Sequence, residues 1–175
     1  MDNSCCKTAE NGSNNHSIDQ TEAVDARYQA AAYEKESCLC TPVKFNQKLL
    51  EVIPNDVVTR DYGCGDPTRW VKSGDTVLDL GSGSGKNAFI CSQVVGEHGK
   101  VIGVDRNPEM LKLSREAEPA VSKQIGFSNV KFLEGSIESI DALQSDQKPL
   151  IGSSIIDVVL SNCVLNLVNP SKRNK

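Results

Sequence analysis

Apolar residues gather in short runs in the middle of the chain and thin out toward both ends. Val77-Leu78-Asp79-Leu80 and Val101-Ile102-Gly103-Val104-Asp105 are too short for helices and read as buried strands. Val130-Lys131-Phe132-Leu133 and Ile155 to Ser161 read as two more. Between the first two runs, Lys86 to Val95 places Phe89, Ile90 and Val94 on one helical face. After Asp105, Pro108 suits the first turn of a helix reaching about Lys123, with Met110, Leu111 and Leu113 inward and Pro119 as a kink or end. Asp141 to Gln144 reads as a short helical piece at best. Strands that alternate with helices predict an α/β fold: a parallel sheet with right-handed crossovers, helices on both faces and strand order 3-2-1-4. A ligand belongs at the carboxyl ends of strands 1 and 4, where the winding reverses.

The pattern changes upstream. Met1 to about Glu22 is polar and almost free of large apolar residues, so residues 1–22 are expected to be a disordered tail. Ala23 to Lys35 repeats Val24, Tyr28, Ala31 and Ala32 at helical spacing. Asn46 to Ile53 reads as a further short helix. Val57 to Tyr62 reads as extended or irregular, and Tyr62 to Pro67 as a turn-rich loop. Residues 23–75 are thus expected to form a helical, thiol-bearing layer over a sheet domain of residues 76–175.

Composition narrows the function. A chain of 175 residues suits one domain, and a net charge of −4 gives no basic footprint for nucleic acid. No apolar run has the length of a membrane span, and the N-terminus lacks the apolar core of a signal peptide. The expectation is a soluble cytoplasmic protein with a small-molecule substrate. Its seven cysteines are then free thiols or soft-ligand donors rather than disulfides.

Candidate chemistry centres on Gly81-Ser82-Gly83-Ser84-Gly85, between the first strand and the helix. Glycines there let the chain turn sharply and let a ligand approach without meeting a Cβ. Asp105 follows Gly85 by twenty residues, the spacing at which an acid meets a ribose hydroxyl in such folds. The dinucleotide pattern G-x-G-x-x-G would need glycine where Lys86 stands, and the Lys-Ser/Thr pair of a phosphate-binding P-loop is missing too. The G-x-G-x-G form, with Asp79 before it and Asp105 after the next strand, resembles the S-adenosylmethionine methyltransferases.

Three segments read together resemble one family more narrowly: Arg60 to Pro67, Val77 to Gly85, and Ser161-Asn162-Cys163-Val164-Leu165-Asn166-Leu167. Over about Tyr28 to Arg173 the chain is similar to the arsenite methyltransferases of arsenosugar biosynthesis. The resemblance implies a partial Rossmann-like methyltransferase fold with S-adenosylmethionine as cofactor. It implies that Asp79, Gly81, Gly83 and Gly85 cradle the methionine part, that Asp105 binds the ribose, and that Ser136 and Ile137 lie beside the adenine. Asn162 would sit near the methionyl group. Cys64 and Cys163 match thiols that bind trivalent arsenic, and Cys38 or Cys40 matches a third. Family members continue past strand four and bring another cysteine, so the resemblance implies a chain truncated at its C-terminus.

The implied chemistry is self-consistent. Soft trivalent arsenic prefers thiolate sulfur. Its lone pair attacks a methyl group without a general base, because the attacking atom carries no proton. Catalysis then reduces to positioning. His16 lies in the tail and His98 in a turn, so neither is a candidate catalyst. Other readings of the thiols are a zinc site, although Cys38-x-Cys40 is tighter than the usual C-x₂₋₄-C pair, and unremarkable free cysteines. Cys91, inside the first helix, reads as a packed core thiol. Other readings of the chain are a methyltransferase for a different small acceptor and a non-catalytic binding module.

Overall fold

Thr76–Leu80 forms β1, and the rest of the sheet is built outward from it. The computed structural model describes residues 45–61, 65–140, 144–145, 148–149, 155–162 and 164. Within them, α1 is Gln47–Leu50, α2 is Asn55–Thr59, and a single 3₁₀ turn covers Pro67–Arg69. Beyond β1 come α3 (Lys86–Val95), β2 (Lys100–Asp105), α4 (Pro108–Ile125) and β3 (Val130–Glu134). Then follow β4 (Gln144–Ser145), β5 (Lys148–Pro149) and β6 (Val158–Ser161).

The main sheet has the order β3-β2-β1-β6 with every pair parallel, as the alternation of elements predicts. Register places Val77 opposite Val101 and Val158, and Val101 opposite Val130. One sheet face therefore carries Val77, Val101 and Phe132, which pack with Ala88, Phe89 and Ile90 of α3 and Leu111, Ala117 and Val121 of α4. Phe89 meets Phe132 edge-on, with centroids 5.3 Å apart. Leu78, Val104 and Leu133 form a second apolar cluster on the opposite face, packed with Leu80, Ile102, Ile140 and Ile156.

The expectation of helices on both faces is met on one face only among the described residues. Two successive right-handed crossovers that step in the same direction, β1 to β2 to β3, must leave both helices on the same side. On the other side Val159 is 57% exposed.

Helix α4 runs through Pro119 to Ile125 instead of ending there. Proline gives up one backbone donor. The buried stripe of Met110, Leu111, Ser114, Ala117 and Val121 offsets that loss, and Asn107 caps the helix start by accepting from the Glu109 and Met110 N–H groups. Two further expectations are corrected. Asn55–Thr59 is helical rather than extended, because Pro54 sets the entry and the fully buried Val57 anchors the turn to the core. Gln144–Ser145 pairs antiparallel with Lys148–Pro149, so Gln144 lies in a strand rather than at the end of a helical piece; the rest of that expected piece, residues 141–143, lies outside the described residues. The expected tail and the helix of residues 23–35 lie outside the described residues.

The layer before β1 is fastened to α3 and its loop. The Gln93 amide donates to the Leu49 carbonyl at 2.8 Å, and the Ser84 hydroxyl donates to the Val57 carbonyl at 2.8 Å. Asp61 pairs with Lys86, both side chains buried. Cys91 is fully buried in α3, as expected of a packed thiol, and burial pushes its pKa up.

Candidate ligand site at the glycine loop

Residues 81–85 leave the carboxyl end of β1 and cross over the end of β2. The N–H groups of Gly81 and Ser82 both donate to the Val104 carbonyl, at 2.8 and 3.0 Å. Gly81, Gly83 and Gly85 all have positive φ, at 72°, 52° and 90°. A Cβ on Gly85 would stand 2.8 Å from Phe132 Cζ and 3.0 Å from Ser114 Cβ, so this glycine lets α3 close onto β3. A Cβ on Gly83 would meet nothing within 4 Å. One glycine thus serves packing, while the other turns a bare stretch of backbone toward open space. Helix α3 begins directly behind the loop with no side-chain cap on its first turn.

Asp105 ends β2 under this loop. Its Oδ2 accepts from the Gly83 N–H at 2.8 Å and its Oδ1 from the Asn107 N–H at 2.8 Å. Burial pushes its carboxyl above the usual range; the Asn107, Gly83 and Arg106 backbone hydrogen bonds and the Arg106 charge oppose that shift. Asp79 is 2% exposed, and its Oδ2 has no hydrogen-bond partner. Burial, then the charges of Asp61 and Asp105, raise its pKa from 3.8 to about 7. The hydroxyl of Ser82, Oδ1 of Asn87 and the hydroxyl of Ser161 are likewise buried without protein partners. Buried polar atoms ordinarily find one. Asp79, Ser82 and Asn87 stand at the end of β1, in the loop and on the helix behind it, whereas Ser161 is paired with Leu80 and faces the other side of the sheet.

Two loops complete the mouth. Gly135 donates to the Asp105 carbonyl at 2.9 Å, which brings the turn bearing Ser136 and Ile137 against the end of β2. Asn162, just past β6, donates its amide to the Gly65 carbonyl at 3.2 Å. The side chain of Val164 occupies the space beside Gly81, where a Cβ would meet its Cγ2 at 2.5 Å. Asp79, the three loop glycines, Asp105, Ser136, Ile137 and Asn162 are therefore gathered at one edge of the sheet. Cys38, Cys40, Cys64 and Cys163 lie outside the described residues. Asp61 and Lys86 are not singled out by the sequence pattern.

The fold and the loop define a nucleotide-type binding α/β domain. Residues 71–173 match the family model described as a methyltransferase domain, and the chain belongs to that family. Within it the chain is similar to the arsenite methyltransferases. It is 38% identical over 124 residues to that of Aquipseudomonas alcaligenes, covering 71% of this chain and 34% of the relative. The human arsenite methyltransferase is 34% identical over 150 residues, covering 83% of this chain and 38% of the relative. The crystal structure of an arsenic(III) S-adenosylmethionine methyltransferase from Chlamydomonas reinhardtii superimposes with a TM-score of 0.65 at 34% identity, covering 75% of this chain and 42% of that one. The chain spans little more than a third of the length of these curated relatives. No described helix is long and apolar enough to cross a membrane.

Proposed function

We propose that this chain forms the S-adenosylmethionine-binding part of an arsenite methyltransferase, with trivalent arsenic held by cysteine thiolates as methyl acceptor. The arsenic would arrive as arsenite or its thiol conjugate. The observation that carries the reading is the hydrogen bond from Asn162 to Gly65. These residues stand 97 positions apart, and each is the chain neighbour of a candidate thiol, Cys163 or Cys64. Val164, on the other side of Cys163, touches the glycine loop. Gly65, Asn162 and Val164 thus lie at the edge of the sheet that carries the glycine loop, which supports the reading.

The residues present fit S-adenosylmethionine. The unpartnered polar atoms of Asp79, Ser82 and Asn87 around the loop suit a polar amino-acid group, the unhindered Gly83 backbone allows close approach, and the buried carboxylates favour a ligand of positive charge. The bound cofactor supplies a methyl group on a positively charged sulfur. Asp79 and the loop glycines would take its methionine part, and Asp105 its ribose hydroxyls. Ser136 and Ile137 would flank the base, while Asn162 would hold the thiol segment beside the methyl group. Thiolates on arsenic leave its lone pair for attack, so the site needs alignment and no proton acceptor.

Two predictions follow from these roles. Asp105→Ala removes a charged acceptor and should weaken S-adenosylmethionine binding by about 1.5–3 kcal/mol. Calorimetric titration checks it, and unchanged affinity removes Asp105 from the site. For the acceptor, Trp70 is the single tryptophan and stands 67% exposed in the turn that follows Gly65. Its fluorescence should report arsenite binding in the full chain. Cys64→Ser and Cys163→Ser should each weaken that binding at least about tenfold, since a hard hydroxyl is a poor ligand for a soft centre. S-adenosylmethionine affinity should stay the same. Unchanged arsenite affinity in both variants would exclude the thiol site, and methyl transfer to a different small acceptor would then be the better reading.

A further inference from the structure

We infer that Asp61 and Lys86 belong to the ligand site: Asp61 stands beside Asp79 as a second carboxylate for the ligand's ammonium group, and Lys86 is the positioning residue that holds it there. The inference rests on the S-adenosylmethionine reading and adds the residues that take the ligand's amino-acid end.

The two side chains form an ion pair while only 7% and 8% exposed, and the Lys86 ammonium also sits 4.3 Å from the centre of the Phe45 ring. Stability is a poor account of this pair. Two buried charges lose about as much hydration as they gain in attraction. Lys86 is also the first residue of α3, and a cation there opposes the helix dipole.

What the pair does is fix an acid in place. Asp61 comes from the segment before β1 and Lys86 follows the glycine loop, so the bridge pins that segment against the loop. There the charge of Asp61 acts on Asp79, second only to burial in raising its proton affinity. Asp79 itself is buried at the end of β1, and one of its carboxylate oxygens has no hydrogen-bond partner. The repulsion between the two carboxylates is relieved by a cation that also donates several hydrogen bonds, which an ammonium with three N–H groups does. Carboxylate oxygens accept more than one bond each, so Asp61 can serve Lys86 and the ligand together. A divalent metal ion fits less well, because among the described residues no three metal-ligating side chains gather there.

The test compares three ligands on the full chain by calorimetry: S-adenosylmethionine, S-adenosylhomocysteine and 5′-methylthioadenosine, which lacks the amino-acid end. The double variant Asp61→Asn/Lys86→Met removes both charges at similar volume and should melt within a few degrees of the parent. It should bind the first two ligands at least tenfold more weakly and 5′-methylthioadenosine within twofold of the parent. Equal losses on all three ligands would mean that the pair only shapes the loop, and no loss on any would mean that it does nothing for binding; either overturns the inference. Should the double variant not fold, Asp61→Glu, which keeps the charge and shifts the carboxylate by one methylene, must give the same selectivity in smaller degree, and its absence overturns the inference as well. A parent protein that binds none of the three overturns the cofactor reading itself, and the inference with it.

Discussion

Asp79→Asn should make the ligand-free protein more stable at pH 8 and should nearly abolish S-adenosylmethionine binding. The sign follows from proton linkage. The Asp79 pKa is about 7 in the folded chain against an ordinary 3.8, raised by burial and by the charges of Asp61 and Asp105. Between those values the folded protein holds a proton that the unfolded chain has released, so stability falls as pH rises from about 4 to about 7. Three pKa units correspond to about 4 kcal/mol lost in full above pH 7. Asparagine carries no charge and escapes that loss. Its amide must still find a partner, at a cost of about 1–3 kcal/mol if it does not. A net gain of about 1–3 kcal/mol at pH 8 is therefore expected. The sharper measure is the change in the variant's advantage between pH 5 and pH 8, about 3 kcal/mol, from urea unfolding at both values. An advantage equal at the two values would mean that Asp79 does not titrate in this range.

The same proton governs the ligand. A cation that binds beside Asp79 displaces it, so affinity in the parent protein should rise up to about pH 7 and level off above. From pH 5.5 to pH 8 the gain should be about thirtyfold, one decade for each unit below the pKa. Asp79→Asn should bind weakly at every pH and flatten the profile. On the proposed reading, the acid that destabilises the ligand-free fold also selects a cationic ligand. Such opposition between stability and function is common where a charge is buried for binding.

Much of this was legible in the sequence because it depends on local patterns. The strand, glycine loop, helix, strand and acid of Val77 to Asp105 fall within 29 residues, and each step is set by neighbours in the chain. The order β3-β2-β1-β6 follows from the handedness of the crossovers, which varies little between proteins. The Asp61–Lys86 pair was not legible, because its partners belong to different elements and no spacing links them. The polar atoms left without partners at Ser82, Asn87 and Ser161 depend on how the loop, α3 and β6 meet. Asn55–Thr59 escaped for a similar reason. Val57 and Val58 favour a strand locally, and only the core beneath Val57 selects the helix. Asn162 was placed correctly at the end of the last strand of the main sheet, but its hold on Gly65 is a tertiary contact that no spacing announces.

Alanine at Gly83 and alanine at Gly85 should fail in opposite ways, although the two glycines lie two residues apart in one motif. Both have positive φ, so alanine costs about 1–2 kcal/mol of backbone strain at either position. At Gly85 the added methyl also meets Phe132 Cζ at 2.8 Å and Ser114 Cβ at 3.0 Å. Phe132 packs edge-on against Phe89, and Ser114 is fully buried in α4, so neither can retreat freely. Overpacking of this kind adds about 1–3 kcal/mol. Gly85→Ala should therefore lose about 2–5 kcal/mol of folding stability, a large share of what an ordinary domain possesses. At Gly83 the methyl meets no protein atom within 4 Å, so the stability loss should stay near the strain alone. Its methyl would instead occupy space at the mouth, and the Gly83 N–H that now donates to Asp105 would be tilted by any shift in φ. Gly83→Ala should thus remain folded and lose S-adenosylmethionine affinity by at least about tenfold, equivalent to about 1.4 kcal/mol. Urea unfolding and calorimetric titration of both variants separate the two effects. A Gly83→Ala protein that binds as the parent does would place the ligand away from the open side of the loop, and a Gly85→Ala protein of parental stability would mean that the contact with β3 is looser than the geometry requires.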